Sequence, residues 1–323
     1  MRASLRVSPE GYARVATIAL AALTLIVLTG AAVRLTGSGL GCPDWPKCYG
    51  KEVAPLETHA VIEYGNRLFS GLVGVAAIAA CGLAFCRRPF RRDLALLGLL
   101  LPLGVVGQAV LGGFTVREHL APGFVMAHFS LSMLILVAAV ALAWRARHPR
   151  GHRPAAPDRA SVWSVRALLP LGAITILAGT AATAAGPHAG GMDDQRINRL
   201  NFKGSGTLDW AIQQHARIAL ALGLATVGVW WLLRRRGGDP GVQRSLLVTL
   251  GLLAAQGAVG TIQYLLHLPA EIVWVHVSLA SVTWLSLLWA TAQAGRSAPR
   301  AAPVADPPPV AVSPAPGRSR SAV

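Results

Sequence analysis

Acidic side chains are scarce in this 323-residue chain: 14 Asp and Glu stand against 30 Lys and Arg, and charged residues together make up only 14%. A soluble domain carries roughly 25% charged residues, so the sequence lacks the polar surface that a water-exposed fold requires. Aromatics are also few, at 6%, while 53% of the residues are hydrophobic. A third absence concerns the N-terminus. Residues 11–33 form an apolar run that no small-residue cleavage site follows, which argues for a first membrane span over a removable signal peptide. Finally, the surplus of +16 is not gathered into one basic stretch. It recurs in alternate polar segments, which removes nucleic acid as the partner.

What the chain has in quantity is apolar runs long enough to cross a bilayer, each about 20 residues. Eight are expected near 15–35, 61–85, 94–115, 123–144, 167–186, 209–233, 245–265 and 272–293. The basic residues Arg2, Arg6 and Arg14, the group from Arg87 to Arg92, the segment from Arg145 to Arg166, the group from Arg234 to Arg244, and the final group from Arg296 to Arg320 occupy alternate connections. The positive-inside rule places these and both termini in the cytoplasm, in a plasma membrane. The chain ends in "SAPRAAPVADPPPVAVSPAPGRSRSAV", a Pro-, Ala- and Ser-rich tail without apolar periodicity, expected to be disordered.

An internal repeat organises the rest. "QAVLGGFTVREHLAPGFVMAHFSL" (108–131) aligns without a gap on "QGAVGTIQYLLHLPAEIVWVHVSL" (256–279). The alignment pairs Gln108 with Gln256, Gly112 with Gly260, His119 with His267 and His128 with His276. A weaker match pairs Gly30 with Gly179, Gly37 with Gly186, and Asn66 with His215. The fold class expected is therefore all-α: a polytopic membrane protein of eight transmembrane helices arranged as two duplicated four-helix bundles with the same orientation.

The repeat also sets depth. His128, His215 and His276 each lie about six residues into their spans from the outer end, roughly 9 Å deep at 1.5 Å per residue. Polar groups at that depth face a bundle interior. His215 and His276, equally deep on the second and fourth helices of one half, suit bis-imidazole ligation of a haem. The first half offers His128 with Asn66, a poor iron ligand, which suits looser binding of a porphyrin that comes and goes. Glu63 lies one turn before Asn66, and a Glu63–Arg67 pair at i,i+4 is an alternative, purely structural use of the carboxylate.

"GLGCPDWPKCYG" (39–50) puts Cys42 and Cys48 in an outer loop, where a disulfide can form. A metal site there would lack further ligands. Cys81 and Cys86 read as packing thiols. His148 and His152 belong to a solvated cytoplasmic loop. His119 and His267 sit in short outer turns, as caps or porphyrin-propionate contacts, and His59 and His188 are also near the outer surface. His59 reaches the level of Asn66 only if the backbone breaks.

The motifs "LTGSGLGCPDWPKC", "IEYGNRLFSG", "QAVLGGFTV", "LAPGFVMAHFS", "QQHAR" and "LPAEIVWVHVSLA" together resemble the haem A synthases, membrane enzymes that convert haem O to haem A for terminal oxidases. The similarity spans roughly residues 15–293. The resemblance implies an oxidoreductase that takes a methyl group of haem O through an alcohol to a formyl group. It implies His215 and His276 as axial ligands of a resident haem b, and His128 with Asn66 and Arg67 on the side of the haem O substrate. It further implies Glu63 as the catalytic carboxylate and Cys42–Cys48 as a disulfide. The family pattern has histidine where Asn66 stands. The partners implied are haem O, the haem O synthase, membrane lipid, and a quinone or other electron acceptor.

On this reading, residues 1–144 form the substrate-side bundle, 145–166 a cytoplasmic linker, 167–293 the haem b bundle and 294–323 the tail. A membrane cytochrome relaying electrons from quinol without altering any haem is the rival, and a transporter built from a parallel repeat stands behind it.

Overall fold

The computed structural model describes residues 6–149, 159–192, 195 and 197–295. His152 and nearly all of the Pro-rich tail lie outside these. Eight α-helices follow one another: α1 Pro9–Leu35, α2 Thr58–Cys86, α3 Arg92–Arg117, α4 Pro122–Arg147, α5 Arg159–Ala185, α6 Thr207–Arg235, α7 Pro240–Leu265 and α8 Ala270–Ala294. All are long and apolar enough to cross a membrane, and the protein is a multi-pass, all-α membrane protein. The helices overrun the apolar runs at their basic ends. α1 starts at Pro9 because Ser8 caps it, its Oγ accepting the Gly11 N–H at 3.0 Å. α5 starts at Arg159, ahead of the span expected from 167, because a helix continues to satisfy its own backbone past the point where its side chains turn polar.

Within each half the helices close a ring. α1 packs on α2, α2 on α3, α3 on α4 and α4 back on α1, and α5 to α8 repeat the pattern. α1 and α4 then meet α8, and α4 meets α5. Small residues make this possible in the first ring: Ala77, Ala80 and Ala84 of α2 are fully buried, and the Tyr12 hydroxyl donates to the Ala80 carbonyl at 2.9 Å. The outer turns of the two halves are copies. His119 and Leu120 between α3 and α4, and His267 and Leu268 between α7 and α8, all have positive φ of 49° to 65°. In each copy the leucine N–H closes the preceding helix, Leu120 on the Thr115 carbonyl and Leu268 on that of Gln263.

Cross-links join the halves at the end of the bundle that carries the α1–α2 loop. Gly39 donates its N–H to the Gly190 carbonyl at 2.7 Å, and a Cβ on Gly39 would lie 2.8 Å from that same oxygen. Arg34 donates to the carbonyls of His188 and Thr183. Deeper, the Trp284 indole donates to Met133 and that of Trp274 to Leu28, each at 3.0 Å.

Candidate functional site

The second ring brings His215 of α6 and His276 of α8 face to edge, with ring centroids 6.2 Å apart and planes at 79°. A metal between two imidazoles, with bonds of roughly 2 Å, sits about 3 Å from each ring centre, so this spacing suits one shared iron. The His215 Nδ1–H donates to the Thr175 carbonyl at 3.0 Å, which fixes the tautomer and leaves Nε2 as the free lone pair. The Nδ1 of His276 is buried with no partner among the described residues. No group of three or more His, Cys, Asp or Glu side chains with metal-binding geometry occurs among the described residues. Two imidazoles alone suit an iron whose equatorial ligands come from a porphyrin.

Each imidazole faces a glycine on the preceding helix. A Cβ would meet His215 Cε1 at 3.0 Å from Gly179, His276 Cε1 at 3.2 Å from Gly260, and His128 Cε1 at 3.3 Å from Gly112. Each histidine on α4 and α8 is also backed by a glutamine. Gln108 donates to the His128 carbonyl at 3.0 Å, and Gln256 to that of His276 at 3.1 Å. The repeat alignment pairs these glycines and glutamines, yet it carries no sign of what they touch.

The fourth member of the set differs. Asn66 lies on the inward face of α2, in step with buried Glu63, Val73 and Ala77. Its Oδ1 accepts from the Thr29 hydroxyl of α1 at 2.8 Å, and a Cβ on the next residue, Gly30, would meet nothing within 4 Å. His59 is held elsewhere. Its Nδ1 shares a hydrogen bond with Ser38 at 2.9 Å, and a Cβ on Gly41 would lie 2.2 Å from its carbonyl oxygen.

Cys42 and Cys48 form a disulfide, and their loop roofs the first ring, with Trp45 packed against Gly113 beside the glycine that faces His128. Glu63 and Arg67 hold this roof. Glu63 Oε2 accepts the Cys42 N–H at 2.7 Å, and Oε1 pairs with Arg67. The Arg67 guanidinium donates in turn to the carbonyls of Cys42, Asp44 and Lys47 at 3.2, 3.0 and 2.9 Å. The Asp44 carboxylate accepts the N–H groups of Tyr49 and Gly50, both at 2.7 Å. These bonds, that from Gly50 first, hold its pKa below the usual carboxylate range. Asp44 carried no signal in the sequence beyond its place between two cysteines.

The other histidines fall outside this set. His148 stacks on Trp144, His188 Nε2 donates to the Leu268 carbonyl at 2.7 Å, and His119 and His267 occupy the left-handed turns. Cys81 and Cys86 are free and half-buried.

Residues 13–61 and 56–288 match the COX15-CtaA family, whose description is cytochrome oxidase assembly protein. A protein of Shewanella oneidensis named heme A synthase is 28% identical over 309 residues, covering 82% of this chain and 91% of its own length. Proteins of the same name from Bacillus cereus and Bacillus anthracis are 32% identical over 122 residues, 37% of this chain and 39% of theirs.

Proposed function

The chain belongs to the COX15-CtaA family of cytochrome oxidase assembly proteins, and on that premise we propose that it is a haem A synthase, oxidising a methyl group of haem O to the formyl group of haem A. The observation that carries the reading is the inequality of the rings: two imidazoles 6.2 Å apart in one, and in the other a single imidazole, His128, with an amide, Asn66, at the repeat position of the second. A resident cofactor needs a tight grip. A substrate needs a pocket it can leave.

His215 and His276 are the residues that would hold a haem b, with Thr175 setting the His215 tautomer and Gly179 and Gly260 making room for the rings. Bound there, a haem b would supply a one-electron carrier beside the substrate pocket. His128 takes the iron of haem O, while Glu63 and Arg67 keep the Cys42–Cys48 roof closed over that pocket. Held under that roof, the Glu63 carboxylate would stabilise positive charge developing on the oxidised porphyrin. The electrons leave to a quinone or another acceptor. The basic ends of the helices lie in the cytoplasm of a plasma-membrane protein, with residues 1–144 as the substrate bundle, 167–293 as the haem b bundle, 145–166 as the linker and 294–323 as the tail.

Expression beside a haem O synthase in a host without haem A, followed by chromatography of extracted haems, tests the reading. Haem A should appear, and quinol-dependent haem reduction without haem A would assign an electron relay in its place. In the same assay Glu63→Gln keeps an acceptor for the Cys42 N–H but removes the charge, and haem O or the alcohol should accumulate. Glu63→Ala in addition removes the acceptor of the buried Cys42 N–H, a loss of about 1–3 kcal/mol. Normal haem A from Glu63→Gln removes the carboxylate's charge from the mechanism.

A further inference from the structure

Three glycine–histidine contacts are built alike, and at the fourth repeat position the glycine is kept but the histidine is not. Gly30 occupies the place that Gly179 has in the second half, and a Cβ there would touch nothing within 4 Å. The residue that the repeat pairs with His215 on α2 is Asn66. No nearby histidine replaces it, because His59 is bonded to Ser38 and its backbone is pressed onto Gly41. A single helical residue cannot be drawn two turns deeper without unwinding α2.

The amide itself is oriented. Thr29 holds Oδ1 at 2.8 Å, which turns the NH2 group away from that bond and leaves its donors unused among the described residues. An asparagine amide does not compete well for haem iron, but an N–H donor beside an open coordination position stabilises a small ligand bound there. The exchange of histidine for asparagine therefore converts a closed axial position into a site.

We infer that the first bundle holds porphyrin iron through His128 alone and that the position Asn66 takes in place of a second imidazole is a binding site for a small neutral ligand of that iron, a diatomic gas or water, with the Asn66 amide donating to it. The inference rests on the proposed placement of a porphyrin in the first bundle. It does not require that the porphyrin be converted to haem A.

The full-length protein in detergent, saturated with iron protoporphyrin IX, reduced and exposed to carbon monoxide, provides the test. Wild type should show two populations, one low-spin and inert to carbon monoxide, the other reactive. His128→Ala should remove only the reactive population, and His276→Ala should disturb only the inert one. Asn66→His should abolish the carbon monoxide-induced Soret change and convert the reactive population to low-spin. Asn66→Leu should keep that reactivity but raise the C–O stretching frequency, because the N–H donor is gone. Two inert low-spin populations in wild type, a first pocket that takes no porphyrin, or a reactive population untouched by Asn66→His would each overturn the inference. Failure to make haem A in the expression assay, with these spectra intact, would instead overturn the proposed function.

Discussion

A Cβ at position 179 would sit 3.0 Å from His215 Cε1 and 3.3 Å from its Nδ1, the nitrogen that donates to Thr175. Contacts that short must be relieved, and the ring is the movable partner. Moving it breaks the bond that sets its tautomer and changes its position relative to His276. Losses of such supporting contacts cost about 10–100-fold in metal affinity. Gly179→Ala should therefore lower retention of the low-spin haem by that factor, read as haem lost to an apomyoglobin trap. Gly30→Ala, with nothing within 4 Å of its Cβ, should retain haem as wild type does. Equal losses in both variants would mean that the four glycines serve helix packing alone.

The roof loop between α1 and α2 is an element made by charge. Asp44 ties its tip to the N–H groups of Tyr49 and Gly50, and Arg67 ties the loop carbonyls down to α2. The Asp44 pKa is depressed in the fold, first by the Gly50 N–H. Its contribution is accordingly present above the unfolded carboxylate pKa, about 3.9, and is lost as pH falls through the lower folded value. Reduction of Cys42–Cys48 by a water-soluble phosphine should not gain from loop opening between neutral pH and about 5, and should accelerate only in stronger acid. Asp44→Asn should raise the rate at neutral pH and flatten that acid dependence, whereas an unchanged rate would remove Asp44 from the loop's closure. Little of this element was legible beforehand. Hydropathy reveals a span because one solvent dictates its whole length, and duplication reveals the depth of His128, His215 and His276. Nothing local says that Glu63 reaches back 21 residues to the Cys42 N–H, or that Thr29 on another helix holds the Asn66 amide. Such contacts depend on how helices are rotated against each other, and a helix tolerates many rotations until packing selects one.

At the scale of the whole molecule, the halves share a seam in which α8 lies against both α1 and α4, with α5 also on α4. Trp284 and Trp274 of α8 donate to carbonyls of α4 and α1, and Arg34 of α1 and Gly39 of the roof loop reach the carbonyls of Thr183, His188 and Gly190. In hydrocarbon such bonds have little competition from water, and tight packing of small and aromatic residues does the rest. The covalent connection between α4 and α5 is then not what keeps the halves together. A protease site inserted between residues 149 and 159, cut in detergent, should leave the two fragments copurifying through an affinity tag on either one. The haem proposed for His215 and His276 should stay with them, because both histidines belong to one fragment. Fragments that separate on cleavage would show that the seam is too weak to set the distance between the rings. The electron transfer proposed between the two rings would then depend on the linker.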